Sequence, residues 1–151
     1  MKIYIAADHG GFELKKHLKE MLVKSGGEVI DMGNKNLDVS DDYPDFCLPL
    51  AEAVAKDPDS LGIVIGRTGN GEVIAANKVQ GARAALCSNS DLARKAREDN
   101  NANVLSLGAD FVEKDTAWEI VNTFITTLFS NAERHKRRVD KIKFYETAHS
   151  K

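Results

Sequence analysis

Cysteine is scarce in this chain, and its placement is as telling as its number. Cys47 and Cys87 are the only two in 151 residues, and neither belongs to a CxxC pair or to a metal-ligand spacing. A reduced, cytoplasmic setting is therefore expected, with no metal site. Long apolar runs are missing as well. The first one ends at Ala7, before Asp8 and His9, too short for a signal peptide, and no later run approaches membrane-spanning length. No membrane partner is expected. Neither sign of charge dominates: 21 Lys and Arg against 23 Asp and Glu leave a net charge of −2, so there is no global basic field for nucleic acid. Internal repeats and low-complexity segments are also lacking. What is present is 42% hydrophobic content, enough for one substantial core in a chain too short for two ordinary domains. Residues 1–151 read as a single domain.

Strand and helix patterns alternate along it. Lys2 to Ala7 reads as a first strand, and Asp8-His9-Gly10-Gly11 leads to a helix with Leu14, Leu18, Met21 and Leu22 on one face. Gly26-Gly27 ends that helix, and Glu28 to Asp31 makes a short second strand. Met32 to Tyr43 is a polar loop before Pro44, which suits the first turn of a helix carrying Leu48, Ala51, Val54 and Ala55. Ile63 to Ile65 belongs to a third strand. Ala82 to Leu86 reads as a fourth, a helix runs from Ser90-Asp91 to about Glu98, and Val104 to Leu107 is the fifth. Ala117, Val121, Phe124, Ile125 and Leu128 mark a further amphipathic helix. This order predicts a three-layer α/β/α sandwich on a five-stranded parallel sheet, Rossmann-like, with ligands beyond the carboxyl ends of the strands. Asp8, His9, Gly66 to Glu72 and Cys87-Ser88 all fall at those ends.

The most informative stretch is Gly62 to Lys78, GIVIGRTGNGEVIAANK. A buried strand runs into Gly66, Gly69 and Gly71, and from Glu72 the pattern turns helical, so free backbone N–H groups converge where the helix begins. Three readings compete. The glycines could serve only a tight βα connection. A nucleotide loop fits poorly, because GxGxxG is not matched and Glu72 stands where Walker A needs Lys. The third reading is an oxyanion hole beside a carboxylate base, in which N–H groups stabilise a developing enolate while Glu72 moves a proton.

The segment at about 131–149 reads as a basic helix. A solvated face is one reading. The other is phosphate binding, because Arg134 and Arg138 lie one helical turn apart on one face. Nucleic acid is disfavoured, since Glu133 and Asp140 interrupt the charge and aromatic residues are sparse there.

One ordered set of landmarks is specific: Ala7-Asp8-His9-Gly10-Gly11-Phe12-Glu13-Leu14-Lys15, Asp42-Tyr43-Pro44, Thr68-Gly69-Asn70-Gly71, Ile74-Ala75-Ala76-Asn77-Lys78, Asn100-Asn101-Ala102-Asn103, and Arg134-His135 with Arg138-Val139. Over almost the whole chain this set resembles the type B ribose-5-phosphate isomerases and the related galactose-6-phosphate isomerase subunits. The resemblance implies cofactor-free aldose–ketose exchange on a small phosphorylated sugar, and a homodimer with shared active sites that can assemble further to a tetramer. Many members carry a cysteine base where this chain has Gly66; Asn70-Gly71-Glu72 resembles the branch that uses glutamate.

On this resemblance Glu72 is the base and Thr68 the relay between the sugar oxygens. Asp8, His9 and Tyr43 contact the sugar, with Gly69, Asn70 and Gly71 around the enediolate. Asn100, Arg134 and Arg138 bind substrate, the arginines through its phosphate. Three positions depart from the family pattern. Asp99 replaces a ring-opening histidine, Asp110 replaces a phosphate-binding arginine, and Arg67 replaces a glycine. Arg67 is read as a substrate contact that offsets Asp110, and Asp99 as the remaining candidate for ring opening. The expected substrate pair is ribose 5-phosphate and ribulose 5-phosphate. The alternatives are a tetrose phosphate, for which no ring needs opening, and a weakly catalytic phosphosugar-binding protein.

Overall fold

Period-two and period-3.6 patterning resolves into five strands and six α-helices among residues 1–150, which the computed structural model describes. β1 (Lys2–Ala7) passes through a 3₁₀ turn (His9–Gly11) into α1 (Phe12–Lys24). Then come β2 (Glu28–Asp31), α2 (Pro44–Lys56), β3 (Ser60–Gly66), α3 (Asn70–Ala76), β4 (Ala84–Leu86), α4 (Ser90–Asn100), β5 (Val104–Gly108), α5 (Lys114–Thr126) and α6 (Glu133–His149). All four strand pairings are parallel, in the order β2-β1-β3-β5-β4.

Parallel strands covered on both faces must be apolar throughout, and all seven residues of β3 are buried. On one face Ile3, Ile5, Ile63, Ile65, Leu105 and Leu107 pack against Leu14, Leu18 and Leu22 of α1 and Ile120, Val121 and Phe124 of α5. On the other, Ala6, Val64 and Val104 meet Cys47, Leu50, Ala51 and Val54 of α2 and Ala75 and Ala76 of α3. The result is the expected three-layer sandwich. Each large side chain fully buried in it contributes about 1.5–3 kcal/mol. The chain leaves β1 outward to β2 and returns to β3 on the opposite side. The crevice of this sheet therefore opens between the carboxyl ends of β1 and β3.

Local differences from the sequence reading have physical causes. α3 begins at Asn70 rather than Glu72, because Gly69 takes φ +78° and turns the chain directly into the helix. In α2 the buried stripe is Cys47, Leu50, Ala51 and Val54, which leaves Leu48 exposed. α5 ends at Thr126, where the hydroxyls of Thr126 and Thr127 bond back to Asn122 O and Thr123 O, so Leu128 lies outside it and is exposed. β4 starts at Ala84, because Ala82 closes a turn onto Val79 O. On α6 Val139 is buried, while Ile142 and Tyr145 face outward.

Candidate active site

Asp8 leaves β1 as the cap of the 3₁₀ turn, accepting from Gly10 N at 2.9 Å and Gly11 N at 3.3 Å. That turn presents His9 beside the crevice. Asp41 holds it at two points: its Oδ1 accepts from His9 N at 2.9 Å and lies 2.6 Å from Nδ1, while Oδ2 accepts from Asn34 Nδ2 at 2.7 Å. The Asp41 hydrogen bond pushes the His9 pKa up, with Asp8 and Asp41 charge adding to it and burial and Arg67 opposing. Reading the sequence missed Asp41. It sits in a polar loop 32 residues away, with nothing periodic to connect it to His9.

Across the crevice, Gly66 ends β3 and Glu72 folds back over it. A Cβ at Gly66 would fall on the Glu72 carboxylate, so the glycine is what makes room for the acid. Glu72 is 4% exposed, and burial raises its pKa, with the charge of Asp8 adding to the rise. Gly71 lies against the Tyr43 ring, where a Cβ would be 2.6 Å from Cζ. Ser106 Oγ donates to Gly69 O at 2.8 Å and Asn70 N to Thr68 Oγ1 at 3.2 Å, which fixes the loop between them. Arg67 crosses Gly10, and its Nη1 lies 3.9 Å from Asp110 Oδ2 with both side chains exposed. Burial pushes the Cys47 thiol up to about 12, with Glu72 and Asp8 adding to it, and the Cys87 thiol up to about 11. Both cysteines are protonated at neutral pH and are poor nucleophiles. Asp8, His9 and Asp41 stand close enough to hold a cation, and the Nδ1 of His9 is already engaged by Asp41.

The fold thus brings together Asp8, His9, Tyr43, Arg67, Thr68, Gly69, Asn70, Gly71 and Glu72. It places Asp99, Asn100, Arg134 and Arg138 elsewhere. Asn100 ends α4, and Asn103 O accepts from Gly62 N before β5 begins; Gly108, at the far end of β5, pairs with Gly66. Four strand residues, about 13 Å, separate the two levels. In this second group His135 is buried. Its Nε2 accepts from Arg134 Nε at 3.1 Å, which selects the Nδ1–H tautomer and directs that proton toward Ser130 Oγ at 3.0 Å and Asp99 Oδ1 at 3.5 Å. His135 thereby holds Arg134 and Asp99 together. No independent signal marks it in the sequence beyond its place beside Arg134.

The chain has close relatives of known structure. A family model described as Ribose/Galactose Isomerase matches residues 3–142. Ribose-5-phosphate isomerase B of Mycobacterium leprae is 48% identical over 149 residues, 99% of this chain and 92% of the relative. The crystal structure of ribose-5-phosphate isomerase B from Mycoplasma genitalium, with bound ribulose-5-phosphate, superposes with a TM-score of 0.93 at 44% identity, covering 97% of this chain and 96% of the other. The Clostridium thermocellum enzyme of the same name also gives 0.93, at 50% identity over 99% and 100% of the two chains.

Proposed function

Because the chain belongs to the ribose/galactose isomerase family, we propose that it interconverts ribose 5-phosphate and ribulose 5-phosphate with Glu72 as the base. The observation that carries this reading is a carboxylate buried against Gly66 beside a glycine loop, where its raised pKa suits it to take and return a proton. Glu72 removes the C2 proton of the open-chain aldose, and the electron pair moves through C1 to the carbonyl oxygen. Backbone N–H groups around Gly69 to Gly71 stabilise the resulting enediolate. Thr68 relays a proton between the two oxygens, and protonated Glu72 delivers its proton to C1. No electron leaves the sugar. Asp8, His9 and Tyr43 orient hydroxyls.

The phosphate needs cations, and Arg67 is the one this chain places beside His9. Arg134 and Arg138, with Asn100 and Asp99, lie too far from Glu72 to reach the same sugar. A second copy that sets its Asn100 and α6 arginines over the crevice completes the site, which supports a homodimer with shared active sites. Assay of ribose 5-phosphate isomerisation with wild type and Glu72→Gln tests the reading. Turnover lost in the variant supports it, and wild-type turnover in the variant overturns it.

A second substrate reading, erythrose 4-phosphate and erythrulose 4-phosphate, is favoured by one observation. Asp99 Oδ1 lies 3.5 Å from Nδ1 of the buried His135 in its own chain, at the position where the family resemblance expects a ring-opening histidine, so this chain lacks that histidine donor. A four-carbon aldose phosphorylated at C4 cannot close a furanose and needs no such donor. A kcat/KM for erythrose 4-phosphate at or above that for ribose 5-phosphate would establish it. A strong preference for ribose 5-phosphate would reject it.

A further inference from the structure

Arg83 and Arg97 line one cleft of about 610 Å³ at the amino ends of the strands, and neither arginine has a role in the chemistry above. The cleft lies between the Asn101–Asn103 loop, the start of β3 and the last turns of α6. Its lining includes none of Asp99, Asn100, Arg134 and Arg138. Both guanidinium groups are partly buried, and both bond to neutral acceptors. Arg83 Nε donates to Asn101 O at 2.9 Å and Nη1 to Gly81 O at 3.4 Å. Arg97 donates from Nε to Thr127 O at 3.1 Å and from Nη1 to Asn101 Oδ1 at 3.2 Å and to Ala102 O.

Among the described residues neither arginine forms an ion pair, and neither Nη2 has a hydrogen-bond acceptor. Lys143 adds a third cation, and its only ion pair among the described residues is a loose one, to Asp140 at 3.9 Å. Against these three stands Glu146, whose Oε2 accepts from Gly81 N at 3.2 Å. Counted within the lining, Arg83, Arg97 and Lys143 against Glu146 leave a net charge of +2. Burial lowers both arginine pKa values; the Glu146 charge opposes the fall for Arg83, and Arg83 lowers that of Arg97 further.

We infer that this cleft is a second anion site, separate from the isomerase centre, and that it takes a phosphate dianion on Arg83, Arg97 and Lys143. Two guanidinium edges outside any direct ion pair offer charge-assisted hydrogen bonds to phosphate oxygens. The volume falls within the range of small-molecule sites, so the phosphate can be free or carried by a metabolite-sized monoester. Glu146 is the built-in competitor, and it makes the inference sharply testable.

Inorganic phosphate is titrated calorimetrically into full-length Arg67→Ala/Arg134→Ala/Arg138→Ala protein, which lacks the phosphate contacts proposed for the isomerase centre. Retention of about one phosphate per chain is expected. On that background Arg83→Gln should weaken binding by about tenfold or more, and Lys143→Gln by a few-fold. Glu146→Gln keeps an acceptor for Gly81 N but removes the opposing charge, so it should tighten binding several-fold. A purely structural role for these residues predicts no such gain. Sulfate should compete and chloride at equal ionic strength should not. Tighter binding of glycerol phosphate than of inorganic phosphate would identify a metabolite's phosphate as the occupant, and equal binding would identify free phosphate. Absence of phosphate binding, or binding indifferent to both Lys143→Gln and Glu146→Gln, overturns the site.

Discussion

Glu72 combines burial with a nearby carboxylate, and both favour its protonated form. A carboxyl group whose folded-state pKa is raised binds its proton more tightly folded than unfolded. Stability then falls as pH rises between the unfolded and folded values, and above the folded value the buried charge is a constant burden. Glu72→Gln should therefore reduce kcat by about a hundredfold or more while raising Tm at neutral pH. The gain in Tm should vanish once pH falls below the ordinary carboxylate range. Activity assays and thermal melts on the same samples check both halves. His9 has the same sign for a base. Its raised pKa means that the Asp41 contact stabilises the fold fully below the ordinary value of 6.5 and loses that effect as pH rises through the folded value. In Asp41→Asn the NMR titration midpoint of His9 should fall toward 6.5, with kcat/KM reduced. An unmoved midpoint would remove Asp41 as the residue that positions and charges His9. Glu72 is legible in the sequence through its place beside the glycine loop, and Asp8 and His9 through the family resemblance of their motif at the end of the first strand. Asp41 is not, because a contact across 32 residues leaves no local pattern.

At the scale of an element, the β3–α3 junction determines whether the acid can be used. Gly66→Ala, or Gly66→Cys in imitation of the thiol branch, puts a Cβ on the Glu72 carboxylate and must expel it. Activity should drop to the level of Glu72→Gln, and the added thiol should not restore it while Glu72 occupies the space. Gly69→Ala is strained twice, by φ +78° and by a Cβ 2.6 Å from Leu86 Cδ1 and 2.9 Å from the Leu107 carbonyl carbon. A loss of more than about 1 kcal/mol is expected, measurable by urea denaturation. Glycine spacing and the change from strand to helix patterning marked this junction in advance. The end of α5 escaped prediction for the opposite reason. Leu128 continues the apolar spacing, but two threonine hydroxyls bonding back to carbonyls end the helix before it.

For the whole molecule, the decisive feature is the division of candidate residues between the two ends of the sheet. Glu72→Gln and Arg134→Ala/Arg138→Ala chains, each with little activity alone, should recover about a quarter of wild-type activity when refolded together, since half of the random dimers carry one intact shared site. Failure to recover any activity would confine the site to one chain. Local patterning in the chain specifies the α/β alternation, the parallel sheet with a central apolar β3, the glycine loop and its acid, and the basic start of α6. Each is written in spacing along a few turns or strands, where local geometry dictates which residues share a face. Tertiary structure alone decided that Asp41 meets His9, that His135 ties Arg134 to Asp99, that Asn100 and Arg134 lie a strand's length from Glu72, and that Arg83 and Arg97 share a cleft. These are encounters between segments distant in sequence, set by the order in which five strands pack into one sheet.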